Sequence, residues 1–213
     1  MKIGRLLLRA VVGGFFFGHG AQKLFGWFGG PGLKATAEQF DNMGMKPGTV
    51  NAAAAGTVET LSGAGLLLGL RTPFAAAGIV SVMITAIQRV HIKNGPWATK
   101  GGYEYNVVLA AAAVVIAESG PGPLSLDALR GQEKVGAKWG LFSLALGAAG
   151  AAGAHVLAES RATPAVVAPP AAPAPAASVN GSDPAAPIAA AAAAAADATA
   201  EDAESSEAPP TEN

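Results

Sequence analysis

The chain has 213 residues, of which 51% are hydrophobic and only 14% charged, and its formal net charge is -1. An ordinary soluble domain carries about 25% charged residues, so this composition points to a bilayer and away from an aqueous fold. No cysteine is present, which excludes disulfides, Cys-ligated zinc, iron-sulfur clusters and thiol nucleophiles, so any redox role must borrow a cofactor.

The near-zero charge hides two opposed halves. Up to Arg161 there are 14 basic and 8 acidic residues, net +6; from Ala162 onward there are 7 acidic residues and no basic one. Mild positive charge beside apolar segments suits anionic lipid headgroups, and nucleic acid is not an expected partner.

In chain order, a first apolar segment runs from Ile3 to Phe25. Lys2 and Arg5, ahead of its uncharged centre, imitate a signal peptide, but Arg9 interrupts the run and no small-x-small site follows, so the segment is expected to stay. A second segment, Asn51 to Leu70, carries Glu59 as its only charge. Pro73 opens a third at the first helical position, where a missing N–H costs nothing, and the run Phe74 to Ile87 ends at Arg89, His91 and Lys93. The fourth is Tyr103 to Glu118, stopped by Gly120, Pro121, Gly122 and Pro123. A fifth, Trp139 to Ala158, is rich in Gly and Ala and follows a charged linker.

Backbone groups in hydrocarbon need internal partners, so these segments are expected to be helices. The expectation is an all-α, polytopic membrane four-helix bundle over residues 1–127, a charged linker over 128–138 and a fifth transmembrane helix over 139–159. A disordered Ala/Pro-rich acidic tail is expected over 160–213, where seven prolines precede an alanine run and an acidic end. Gly14 with Gly18, Gly65 with Gly69 and Gly136 with Gly140 have the GxxxG spacing of close helix contacts and are read as packing.

Alternating helix direction gathers the polar residues at one end. His19, Gln22 and Lys23 close the first segment and share a helical face; Glu59 lies in the second; Arg89 and His91 close the third; Glu104 and Tyr105 open the fourth. An ionisable group in hydrocarbon costs about 2.5–3.5 kcal/mol, which favours inward pairing, and Glu59 with Lys23 or Arg89 is the expected pair. The plain alternative is that Lys23, Arg89 and the tyrosines are interfacial anchors. His91 lies too near the membrane edge to share a haem with His19, and no metal site is expected. No Walker loop, strand-linked GxGxxG or Ser-His-Asp order is visible.

These residues also carry a resemblance. HGAQKLFGWFGGPGL from His19 to Leu33, the Glu59 helix followed by GLLLGLRT, the segment end at His91 and GGYEYN from Gly101 to Asn106 resemble the DoxX family of small bacterial inner-membrane proteins, over residues 3 to 127. The resemblance implies a four-helix bundle, multi-pass in the bacterial inner (plasma) membrane. Such proteins serve as subunits or partners of redox systems, among them quinone-dependent thiosulfate oxidation and an actinobacterial assembly with superoxide dismutase and a sulfurtransferase. His19, Gln22, Lys23, Glu59, His91 and Glu104 match the family's motif positions, whereas the fifth segment and the tail fall outside its pattern.

Three functions follow as expectations. In the first, a redox-associated subunit binds quinone at the polar end: His19 or Glu59 is the catalytic proton-exchanging group, Lys23 or Arg89 stabilises developing charge, and Gln22, His91, Glu104 and Tyr105 complete the binding site. In the second, the chain is a non-catalytic scaffold for soluble redox or stress enzymes and the polar cluster is glue. The third is a small-solute or proton-linked transporter with Glu59 as carrier. The lipid bilayer and other redox-complex subunits are the expected partners, and homo-oligomerisation stays open. Basic residues divide equally between the two sides; their clustering near Met1 and in the linker favours an N-terminus inside and a tail outside.

Overall fold

The computed structural model describes residues 3–160. The expected tail lies, beyond Ser160, outside the described residues. The helices are α1 (Ile3–Phe25), α2 (Gly32–Asn42), α3 (Gly48–Leu68), α4 (Thr72–Ala86), α5 (Glu104–Ser119), α6 (Leu126–Leu129) and α7 (Ala137–Ser160). Helix α4 continues through a π-helical turn, Ile87–His91, and a 3₁₀ turn, Ile92–Asn94.

Helix ends follow local chemistry. Gly69, at φ 61°, stops α3 in the left-handed conformation while the Leu70 N–H donates back to the Gly65 carbonyl at 2.8 Å. Helix α4 then starts at Thr72, one residue ahead of the predicted start, and Pro73 stands second in its first turn, where a missing N–H still costs nothing. The result is an all-α bundle in which α1, α3, α4 and α5 form a four-helix ring, with each neighbour antiparallel to the last. Leu66, Ile79 and Ile116 are fully buried at its centre, with Val12, Phe16 and Val80 beside them.

Helix α7 is the expected fifth helix, and it runs parallel to α4. Phe74 meets Phe142 edge-on at 5.1 Å near one end, Gly147 seats against Ala77 and Val80 midway, and Arg89 meets His155 at the other end. The residues Thr72–Asn94 and Ala137–Ser160 are each long and apolar enough to cross a membrane. Only 33% and 22% of those apolar windows is buried inside the fold, so most of each window faces outward. Along α1, Ile3, Leu7, Val11 and Phe15 repeat every four residues and all stand exposed, an apolar stripe that lipid can cover.

Two features depart from the sequence reading. Helix α2 occupies the stretch between the first two segments, where the apolar pattern predicts no helix. It buries Thr36 and Ala37 and is fastened by the Gly48 N–H donating to Asp41 Oδ1 at 2.7 Å. A search for long apolar runs passes over an 11-residue helix with a half-polar face.

The close contact of α1 with α3 is also made by different glycines. Gly18 has nothing near it and Gly14 only touches Leu67, whereas Gly13 and Gly20 of α1 meet Gly63 and Gly56 of α3. Their seven-residue spacing is two helical turns, so each pair lies on one face. A Cβ at position 63 would stand 2.7 Å from the Gly13 carbonyl oxygen and from the Phe17 Cα. Backbone atoms cannot step aside cheaply, so Gly63→Ala is expected to destabilise the fold by about 1–3 kcal/mol. Gly18→Ala should change stability by less than about 0.5 kcal/mol. Denaturant titration of both variants in detergent checks this; equal stability would overturn the packing assignment.

Candidate functional site

The glycine seam sets up the site. Because Gly20 and Gly56 bring α1 and α3 together, the Lys23 stem crosses over Gly56 and its Nζ donates to Glu59 Oε2 at 2.7 Å. The Lys23 side chain is 26% exposed and that of Glu59 only 6%. This is a charge-assisted bond in a water-poor place, where a carboxylate without its cation would be very costly. Glu59 Oε1 takes no hydrogen bond from the described residues. Beside the pair, His19 Nδ1 lies 3.2 Å from Gln22 Oε1, and Gln22 Nε2 donates to the Phe28 carbonyl at 3.3 Å.

Of the two partners expected for Glu59, the structure selects Lys23. Arg89 turns to α7, where its Nη2 lies 2.5 Å from His155 Nδ1, and His155 Nε2 lies 2.9 Å from Glu159 Oε1. Arg89 has only hydrogens to give, so His155 Nδ1 is the acceptor and Nε2 carries the hydrogen toward Glu159.

His91 and Glu104 organise the loop between α4 and α5. His91 Nδ1 lies 2.7 Å from the Gly101 carbonyl, which Asn94 also bonds, and Glu104 Oε1 accepts the Ala98 N–H at 2.9 Å. Tyr105 stands exposed. The polar end therefore holds two groupings: His19, Gln22, Lys23 and Glu59 on α1 and α3, and Arg89, His155 and Glu159 on α4 and α7. The sequence reading passed over His155 and Glu159, although their i,i+4 spacing at the end of the fifth segment was a usable signal.

The opposite end carries a second polar network that the sequence reading also missed. Arg9 is 3% exposed; its Nη1 donates to the Pro121 carbonyl and its Nη2 to that of Leu124 at 2.5 Å, while Nε is buried without a partner. Asp127 accepts the Arg71 N–H at 2.9 Å and the Thr72 N–H at 3.1 Å, and its own N–H donates to the Gly69 carbonyl at 2.9 Å. Asp127 thus satisfies the first amides of α4, and Arg9 satisfies the carbonyls of the Gly/Pro stop. An arginine inside an apolar segment that must point inward was the available clue.

Residues 4–92 match the family model DoxX. No curated protein matches the chain, and no solved structure does. The match covers α1 through the π-helical turn of α4, and hence the whole Lys23–Glu59 site; α5, α6 and α7 lie beyond it. With its DoxX match and two helices long and apolar enough to cross a bilayer, the chain is a membrane protein.

Proposed function

Residues 4–92 are a DoxX-family segment, and from that premise we propose that the chain is a multi-pass inner-membrane subunit of a redox system that binds a quinone headgroup beside Lys23 and Glu59. The observation that carries this reading is the buried pair itself. A carboxylate with one oxygen unbonded among the described residues and an ammonium group lie side by side near the end of an apolar bundle. This donor set fits a group whose oxygens gain protons as it gains electrons. When bound, the quinone would supply the electron-carrying chemistry that a chain without cysteine lacks.

The residues divide the work by their chemistry. Glu59 holds or passes a proton at Oε1, Lys23 offers a positive charge to an oxygen that becomes negative, and the His19–Gln22 pair links the site to the membrane edge. Arg89, His91, Glu104 and Tyr105 shape the same end of the bundle from α4, α5 and their connecting loop. The apolar outer faces of the helices offer cover for an isoprenoid tail.

One observation favours a second reading. The pair bridges two helices already held in close contact by glycines, which is where polar glue between membrane helices is found. A scaffold that recruits soluble enzymes would need the pair only for this.

A quinone titration of the purified chain in nanodiscs separates the two. Glu59→Gln keeps the shape of the side chain and can still accept from Lys23, so the redox reading expects folded protein with saturable binding weakened at least about tenfold, or 1.4 kcal/mol. Unchanged binding, or no binding by the parent, would sink the redox reading and favour the scaffold.

A further inference from the structure

The turn from Phe25 to Gly32 is more tightly specified than a connection between α1 and α2 requires. Phe25, Trp27 and Phe28 are 58%, 53% and 71% exposed, yet they are ordered against one another. The rings of Phe25 and Trp27 are 5.1 Å apart, and Trp27 meets Phe28 edge-on at 6.4 Å. Phe28 sits at φ 53°, a left-handed conformation that is costly for a bulky side chain and persists only where its surroundings impose it. The turn is tied back to α1 by the Gln22 bond to the Phe28 carbonyl, and Gly30 lies so close that a Cβ there would stand 2.5 Å from the Gln22 Cα.

Three rings held out together are an apolar ridge. Each can bury about 150–250 Å², so exposure of the ridge to water costs several kcal/mol at about 25 cal/mol per Å². Its place in the fold says what covers it. The turn directly follows α1, whose Ile3, Leu7, Val11 and Phe15 stripe faces outward, and Trp97 and Ile92 stand exposed at the same end. Trp139 sits at the opposite end under the Lys134 ammonium, 4.6 Å from its ring. All three tryptophans of the chain thus lie toward the two ends of the bundle, the distribution that the two faces of a bilayer select.

We infer that Phe25, Trp27 and Phe28 form an anchor that inserts into the boundary between phospholipid headgroups and acyl chains, at the end of the bundle carrying Lys23 and Glu59. Through Gln22 the anchor ties the depth of the site to the membrane surface. The inference rests on α1 crossing the membrane, as in the proposed function, but not on quinone binding.

The test uses the full chain in phosphatidylcholine vesicles. Trp97→Phe with Trp139→Phe leaves Trp27 as the sole tryptophan, and its emission is quenched by lipids brominated either near the headgroup or near the chain end, and by aqueous iodide. The expected result is severalfold stronger quenching by the shallow label than by the deep one, with little iodide access. Iodide quenching without lipid quenching would overturn the anchor and leave the ridge free for a protein partner; strongest quenching by the deep label would overturn the boundary placement.

The variant Trp27→Phe with Trp97→Phe reports Trp139, whose quenching shows that α7 is inserted, so a chain that failed to insert is recognised as such. Phe28→Gly suits the left-handed backbone and should fold, while shallow-label quenching of Trp27 falls; unchanged quenching would remove Phe28 from the anchor. Quinone binding measured on the same vesicles stands or falls separately.

Discussion

Lys23→Met is expected to destabilise the bundle by about 3–5 kcal/mol, the cost of leaving a buried carboxylate without its cation. Glu59 has a 6% exposed side chain and no other cation within bonding distance among the described residues. Adding Glu59→Leu to Lys23→Met should restore most of that loss, because two apolar side chains of similar volume need no desolvation. Denaturant titration in one detergent measures both. If the single variant is as stable as the parent, the pair is not buried as described. The double variant also separates stability from chemistry: a protein that is stable again but binds no quinone would show that the pair is needed for more than holding α1 to α3.

Asp127→Ala is expected to be the most damaging change at the opposite end. It strips the acceptor from the Arg71 and Thr72 amides and from the Thr72 hydroxyl, which donates to Asp127 Oδ2 at 3.2 Å. Each buried group left unpaired costs about 1–3 kcal/mol. The start of α4 should lose protection in hydrogen exchange, while the Thr60 to Leu66 stretch of α3 keeps its own. Arg9→Met should produce the matching effect from the other side, freeing the carbonyls of Pro121 and Leu124. If exchange at Thr72 stays unchanged in the Asp127 variant, the carboxylate does not cap α4.

The sequence by itself determined the helices, because hydrophobic run length and helix breakers are local properties. The first segment begins and ends where α1 does, and the other four agree with α3, α4, α5 and α7 to within about three residues. Glu59 and its short list of partners were legible for the same reason, since a lone carboxylate in an apolar helix must find a cation wherever the chain supplies one.

Tertiary structure decided the rest, through contacts between residues far apart in the chain. Lys23 reaches Glu59 because Gly20 and Gly56 bring two backbones together, and Arg89 is removed by a histidine 66 positions later. Spacing could not tell Gly13 and Gly63 from Gly14 and Gly18, because a glycine pattern does not say which face meets a neighbour. Arg9 and Asp127 read as an interruption and a boundary until the ring of helices brought them to the same end, where burial obliges each polar group to find the other's neighbours.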